Sequence, residues 1–438
     1  MNYLIIGGSA AGVSAAETLR KHDKKASITL VSDESLPLYS RCLLTYLIAG
    51  VISEEKLHFK NKDFYQANAI KTYLGKKALT IDRKKKTVNL EGKTTLSYDR
   101  LLLATGALAK TMDLPGSDKK SVFTVRNIGD ARGIIAMLDK IKTAVVLGGG
   151  LIGLRDAYAL ALKQKKVAVV VKSPHVLSQM IDADSAGIIA QQLMAHGIEI
   201  LTGVEASAIT GADSVEAVAL DNGQTFDCQM VIVGKGVNPN MSLAESSQIK
   251  TEEGIVVNEF LQTSDEHIFA AGDVAQTYDI TRGSYRINAL WPCAVEQGEV
   301  AALNMLGKNR AYDGSLAMNS VDFFGLSCIS MGITKAQKEE GYEILSKTRG
   351  TLYKKILLKE NRIVGMVFLD DVKAAGVVSA LIRYKVDISS IKTLLLEDNF
   401  DYAKIMPLIA RFREKFSQEE FQDTMISYIP RITASPLC

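Results

Sequence analysis

Short apolar runs recur along the chain, and several of them stop at a glycine. The first, Asn2-Tyr3-Leu4-Ile5-Ile6, carries no charge, as expected of a strand covered on both faces in a parallel sheet. Gly7-Gly8-Ser9-Ala10-Ala11-Gly12 follows. Next come Val13 to Arg20, with the composition of a helix, and a second strand, Ser27 to Val31, closed by Ser32, Asp33 and Glu34. The order is strand, glycine turn, helix, strand, acid. In such a unit the turn's backbone amides and the helix N-terminus receive a pyrophosphate, and the acid, here Asp33 or Glu34, binds a ribose diol. Ser9 stands where G-x-G-x-x-G has its middle glycine, so the motif draws its strength from its setting.

The pattern returns in a cleaner form. Thr143 to Leu147 reads as a strand, Gly148-Gly149-Gly150-Leu151-Ile152-Gly153 is an intact G-x-G-x-x-G, Leu154 to Lys163 is helical, and Val167 to Val171 is the next strand. Two such units, each between the right elements, predict two dinucleotide sites. The second strand ends in Lys172 and Ser173 rather than an acid. An ammonium there can receive the 2′-phosphate of NADPH, or point to solvent while NADH binds through other contacts. Other apolar strands stop at small residues: Arg100 to Leu103 at Ala104-Thr105-Gly106, and Met230 to Val233 at Gly234-Lys235-Gly236. The block from Thr263 reads as a strand ending in Gly272-Asp273, where an acid can accept hydrogen bonds from sugar or ribityl hydroxyls.

Between these units the pattern is mixed. Residues 36–50 read as a loop becoming an amphipathic helix, with Cys42 near its start beside Arg41. A thiol so placed has a lowered pKa and acts as a thiolate, or is a small packing residue. Ala78 to Asp82 and Thr87 to Leu90 read as strands joined by a solvated basic turn, Arg83 to Lys86. Trp291 opens a helix to Leu306 that carries Glu296 and Gln297. Beyond residue 315 the chain turns to antiparallel strands, Phe323 to Ser330, Tyr353 to Leu358 and Ile363 to Phe368, with Glu360-Asn361 as a hairpin turn. Helices are expected at Ala374 to Tyr384 and Tyr402 to Phe421.

Composition narrows the class. A chain of 438 residues, 47% hydrophobic and 23% charged, has the make-up of an ordinary globular protein of two or three domains. A net charge of +3 gives no argument for a nucleic-acid surface, and no charge-free apolar stretch reaches the roughly 18 residues of a membrane span. The five cysteines, Cys42, Cys228, Cys293, Cys328 and Cys438, are scattered. That fits a reducing cytoplasm, with no metal spacing and no iron–sulfur ligand set of the usual kind.

Together these stretches resemble the pyridine nucleotide–disulfide oxidoreductase superfamily, over essentially the whole chain. The resemblance rests on the first glycine turn, Ala104-Thr105-Gly106, the Gly148 to Gly153 turn and the block from Thr263 to Gly272-Asp273. Tyr39-Ser40-Arg41, Ala317 to Gly325 and the hairpin through Gly365 to Asp371 are similar to the flavin portion of nitrite reductase large subunits and to rubredoxin reductases. The resemblance implies an α/β fold with two Rossmann-like domains, for FAD and NAD(P)H, and a C-terminal α+β interface domain. Their expected extents are 1–112 with 245–314, 113–244, and 315–438. It implies that Asp273 binds the ribityl or sugar region and that Glu296 and Gln297 lie by the pyrimidine edge of the flavin. Arg41 and Cys42 would belong to the flavin site, and Gly234 and Gly236 to the nucleotide site. The paired redox cysteines of some members are absent, and Arg155 stands where many have Glu beside the nicotinamide.

The expected activity is hydride transfer from NAD(P)H to flavin and delivery of electrons to an outside acceptor, a rubredoxin- or ferredoxin-like protein or a partner subunit, from a homodimer. Cys42 aligns with the single flavin-facing cysteine of coenzyme A–disulfide and persulfide reductases, so a disulfide or persulfide reductase, or an NADH oxidase, is the alternative enzyme. A flavin-bearing structural or sensing subunit is the alternative outside enzymology.

Overall fold

The structure, a computed structural model, describes residues 1–336 and 340–411. The chain divides into two compact units, one of residues 1–318 and 322–326, the other of 319–321 and 327 onward.

The first unit is built from two parallel sheets made in succession. It starts with β1 (Asn2–Ile6), α1 (Ala10–His22), β2 (Ser27–Ser32), the short α2 (Leu44–Ile48), β3 (Ile70–Leu74) and β4 (Arg100–Leu103). The chain then forms β5 (Val122–Phe123), α3 (Ile128–Met137), β6 (Thr143–Leu147), α4 (Leu151–Leu162), β7 (Lys166–Val171), α5 (Ala183–Ala195), β8 (Ile198–Thr202) and β9 (Met230–Val233). It returns through β10 (Ile268–Ala270) and α6 (Trp291–Met305). The first sheet has the order β10-β4-β1-β2-β3 and the second β8-β7-β6-β9-β5. β1 pairs in parallel with β2 and β4, and β6 with β7 and β9. Each central strand is thus paired along both edges, and all but its first residue is buried, which is why neither β1 nor β6 carries a charge.

Strand order reverses beside β1 and again beside β6, so each sheet has a crevice at the carboxyl end of its central strand. α6 closes the first sheet from far along the sequence. A Cβ on Gly298 would lie 2.2 Å from the Ala11 carbonyl oxygen, so α1 and α6 meet backbone to backbone, and Ser14 Oγ donates to Val295 O at 2.8 Å. Among the described residues no helix is long and apolar enough to cross a membrane.

The second unit holds a sheet ordered β11-β12-β15-β14-β13, from β11 (Met318–Phe323), β12 (Leu326–Gly332), β13 (Glu343–Arg349), β14 (Leu352–Lys359) and β15 (Arg362–Leu369). α7 (Ala375–Arg383) buries Val377, Val378, Leu381 and Ile382 along one face. Lys354, 2% exposed, pairs with Asp371 at 2.7 Å and lies over the Phe368 ring. A buried ammonium needs such a partner, since loss of either ion leaves the other uncompensated.

Several expectations change in detail. The helix expected over 36–50 is a 3-10 turn, Arg41–Leu43, followed by α2 alone. The strand expected from Phe323 to Ser330 is cut by a turn at Phe324 and Gly325, both with positive φ, where Asp322 accepts from the Gly325 amide. Only Ile268–Ala270 of the block before Asp273 is strand. Glu360 and Asn361 do form the two-residue hairpin turn, with φ of 50° and 57° as a type I′ turn requires. The last helix among the described residues is α8 (Tyr402–Arg411); the expected continuation to Phe421, and Cys438, lie outside the described residues.

Candidate functional site

The first glycine turn leaves β1 with Gly7 at φ 123°, where a Cβ would lie 2.0 Å from the Ala104 oxygen. Only glycine can occupy that position. A Cβ on Gly12 would be 1.9 Å from the Gly7 oxygen, so the start of α1 is drawn against the end of its own strand. Ser9 occupies the N-cap but makes no side-chain cap bond, and the first turn, with Ala10 and Ala11, holds no acid. The leading amides of α1 thus keep their hydrogen-bonding capacity and the positive end of the helix dipole for an anion. α3 and α5 differ: Asn127 forms a full capping box with Asp130, and Asp182 accepts from Ser185 N. Gly8, beside Ser32, completes this cradle.

The two acids after β2 separate. Glu34 is held by Arg41 Nη2 at 2.6 Å and by the Tyr39 hydroxyl, while Asp33 is exposed at the strand end. Arg41 also donates to the Arg126 carbonyl at 2.9 Å, and the Ile128 amide donates to Tyr39 Oη at 3.2 Å. Burial raises the Tyr39 pKa, so its proton stays in this network.

Arg126 was not singled out from the sequence. Its Nη2 lies 3.4 Å from Asp273 Oδ2 and from the place a Cβ on Gly106 would take, and its Nε donates to Ala107 O at 2.8 Å. The available signal was an arginine set between a short strand and a capped helix. Thr105 Oγ1 donates to Asn240 O at 2.7 Å, fixing the loop after Ala104. Gly272, at φ 83°, donates its amide to Gln297 Oε1 at 2.8 Å, and Gln297 Nε2 donates to Thr277 Oγ1 at 3.2 Å. Gln297 is 1% exposed, so its amide shapes the turn that presents Asp273; Glu296 beside it is half-buried.

Cys42 is open to solvent, yet protein crowds its other sides. That burial raises its thiol pKa, an effect opposed by a hydrogen bond from Ser40 and by nearby Arg155. The lowered pKa expected from a helix start is not found, because burial outweighs the opposing contacts; Cys42 itself lies in a three-residue 3-10 turn. Arg155, on α4, reaches α2: its Nε donates to Thr45 Oγ1 at 3.2 Å and its guanidinium lies over the Tyr46 ring at 4.4 Å. Cys228, Cys293 and Cys328 are buried and free of disulfides, and among the described residues no group of His, Cys, Asp and Glu is placed to hold a metal ion.

The second turn repeats the first. A Cβ on Gly153 would lie 2.0 Å from the Gly148 oxygen, one on Gly149 2.6 Å from Val171 Cγ2, and one on Gly234 2.6 Å from Gly153 Cα. Gly150 is the N-cap of α4, again with no side-chain cap and no acid in the turn that includes Leu151 and Ile152. Gly236 accepts from the Lys110 amide at 2.9 Å. At the end of β7, Lys172 Nζ is 2.7 Å from Glu205 Oε2, and Lys235 Nζ is 2.5 Å from Glu205 Oε1. The bond from Lys172 holds Glu205 below the usual carboxylate pKa. Further along α4, Asp156 is 1% exposed with no hydrogen-bond partner on either oxygen, and burial raises its pKa well above the ordinary value.

These features agree with comparisons to known proteins. The family model described as pyridine nucleotide-disulphide oxidoreductase matches residues 1–298, and the rubredoxin NAD+ reductase C-terminal domain matches 318–386. The chain is 30% identical over 389 residues to nitrite reductase [NAD(P)H] of Bacillus subtilis (strain 168), covering 88% of this chain and 48% of that protein. This chain thus spans about half the length of that relative. It is 30% identical over 398 residues to the NADH-dependent phenylglyoxylate dehydrogenase subunit epsilon of Aromatoleum evansii, covering 89% and 93%. Among solved structures, an NAD-dependent persulfide reductase from A. fulgidus superimposes with a TM-score of 0.85 at 28% identity, over 91% of this chain and 79% of that one. Two parallel sheets with uncapped glycine turns, matched by the family model over most of the sequence, settle the relationship: the chain belongs to the pyridine nucleotide-disulphide oxidoreductase family, whose cofactors are FAD and NAD(P)H.

Proposed function

We propose that this chain takes electrons from NAD(P)H onto a bound FAD and passes them to an acceptor protein, rubredoxin- or ferredoxin-like, or to a partner subunit. The FAD domain is residues 1–112 with 245–314, the NAD(P)H domain 113–244, and 315–438 form the interface domain of a homodimer. One observation carries the reading: both central strands, β1 and β6, end in a glycine turn that feeds a helix left without a side-chain cap. The match of the C-terminal segment to the rubredoxin NAD+ reductase C-terminal domain supports an acceptor of that class.

The residues fit the group they would hold. The amides around Ser9, Ala10, Ala11 and Gly12 receive the pyrophosphate, and exposed Asp33 accepts from the adenosine ribose. Asp273, braced by Arg126 and presented by the Gly272 turn, accepts from ribityl hydroxyls. FAD, when bound, would supply the redox chemistry between nicotinamide and acceptor. The protein's own part is to orient both nucleotides and exclude water, and Arg155 ties the helix behind the second turn to α2 in the first domain.

The test is direct. The purified protein should be yellow with about one FAD per chain, and it should reduce ferricyanide with NADH or NADPH at a steady rate. A colourless protein, or a yellow one inert to both nucleotides, overturns the reading. The thiol-reductase alternative is favoured by the open position of Cys42 and by the likeness to the persulfide reductase. It is weakened by the raised thiol pKa, since attack on a disulfide requires thiolate.

A further inference from the structure

The ion cluster at the end of β7 crosses the second glycine turn. Lys172 follows β7 and Lys235 follows β9, and these strands flank β6 on its two sides. Glu205, which bridges both lysines, therefore spans the carboxyl edge of β6, from which Gly148 departs. The backbone of Glu205 is fixed from behind. Its amide donates to Asp221 Oδ1 at 3.1 Å, and the Asp221 amide donates to the Glu205 oxygen at 2.9 Å.

Stability does not account for the Lys172 contact in this arrangement. The Lys172 side chain is 76% exposed, and ion pairs so open to water contribute little to folding. The location has a chemical meaning instead. A dinucleotide lying on the glycine turn brings its adenosine 2′ position to the end of the second strand of the unit, here β7. A carboxylate at that edge accepts a hydrogen bond from a free 2′-hydroxyl and repels a 2′-phosphate; lysines do the reverse.

We propose that Glu205 is the residue that selects between the two nicotinamide nucleotides: its carboxylate occupies the place between Lys172 and Lys235 that a 2′-phosphate would take, and so sets the chain for NADH. The inference rests on the second turn being the NAD(P)H site. It moves the selection from the strand-end residue of β7 to a residue that follows the neighbouring strand β8. Lys172 and Lys235 form a ready anion site whose resident anion belongs to the protein.

The experiment uses the full-length flavoprotein as parent, Glu205→Gln, and Glu205→Gln with Lys172→Ala. Ferricyanide reduction gives kcat/KM for NADH and NADPH. Calorimetric titration with adenosine 2′,5′-bisphosphate and with 5′-AMP gives a readout independent of turnover. Glu205→Gln should raise kcat/KM for NADPH and the affinity for the bisphosphate about tenfold, as one charge-assisted contact exposed to the ligand permits. NADH and 5′-AMP should change much less, and the added Lys172→Ala should remove the gain. An unchanged NADPH-to-NADH ratio with unchanged bisphosphate binding overturns the role of Glu205 while leaving the nucleotide site standing. Failure of the parent to bind either adenosine phosphate overturns the site itself.

Discussion

The two glycine turns share a backbone design and differ in what surrounds them. Around the first, Asp33 lies open, while Glu34 is tied to Arg41 and Asp273 to Arg126 inside the protein, with side chains about one-fifth to one-quarter exposed. Around the second, Lys235 and Glu205 are only about 30% exposed, and the difference lies in Lys172, whose side chain is 76% exposed. On the proposed reading the difference matches residence time. A cofactor that stays is best held by groups already fixed by one another, because little ordering remains to oppose binding. A nucleotide that leaves after every turnover needs an approach open to solvent. On that reading the same turn serves retention in one sheet and exchange in the other.

The largest effect should separate the two turns. Gly12→Val and Gly153→Val each place side-chain atoms within about 2 Å of a backbone oxygen, which the chain can relieve only by moving the helix start. Gly12→Val should lose its flavin on purification. Gly153→Val should stay yellow, while its kcat/KM for NAD(P)H falls by about a hundredfold or more, equivalent to some 3 kcal/mol. Absorbance at the flavin bands and stopped-flow reduction read these outcomes. Loss of flavin from Gly153→Val would show that the two turns are not independent.

A smaller change is expected at Asp273. Asp273→Ala removes an acceptor from cofactor hydroxyls and leaves Arg126 without its carboxylate, at a cost of about 1–3 kcal/mol in FAD affinity. Retention of FAD through dialysis equal to the parent's would remove Asp273 from the site.

Asp156 sharpens the comparison on the side of stability. Its folded-state pKa lies well above the ordinary 3.8, so the native protein holds a proton that the unfolded chain has released. Its contribution to stability is greatest below pH 3.8 and falls as pH rises toward the folded-state value. Asp156→Leu, with the same branching and number of heavy atoms but without the unpaired oxygens, should gain about 1–3 kcal/mol near pH 7. Urea midpoints for both proteins between pH 5 and 8 test this: the gap should widen with pH, and a constant gap would refute the assignment. The smallest effect belongs to Cys42. Cys42→Ser should keep most NAD(P)H-dependent ferricyanide reduction, because no thiol lies on that path. A parent that reduces disulfides or persulfides efficiently, with an inert serine variant, would favour the alternative enzyme.

The glycine turns and apolar strands were legible because their causes are local. A buried parallel strand must be uncharged, and a helix start pressed on its own strand must be glycine. Arg126 and Glu205 were not legible, since each acquires its setting from residues remote in sequence, Asp273 in one case and two lysines in the other. The basic run after Asp82 shows the same limit. Lys85 is solvated, but Arg83 reaches back to Asp265 at 2.7 Å and toward the carbonyls of Ser247 and Gln248. Charge count alone could not tell the tethering arginine from its neighbours.

The closure of α1 by α6 has a consequence for synthesis. β4 lacks its outer neighbour until β10 has been made, and the Ala11–Gly298 contact joins residues separated by most of the first unit. The second sheet, between them in sequence, can form while the first still has an open edge. Pairings of such long separation form slowly, and exposed strand edges invite wrong partners while they wait. A ribosome carrying this chain should therefore display a finished second sheet beside a first sheet still short of β10, and the first sheet is the part whose assembly a chaperone would guard.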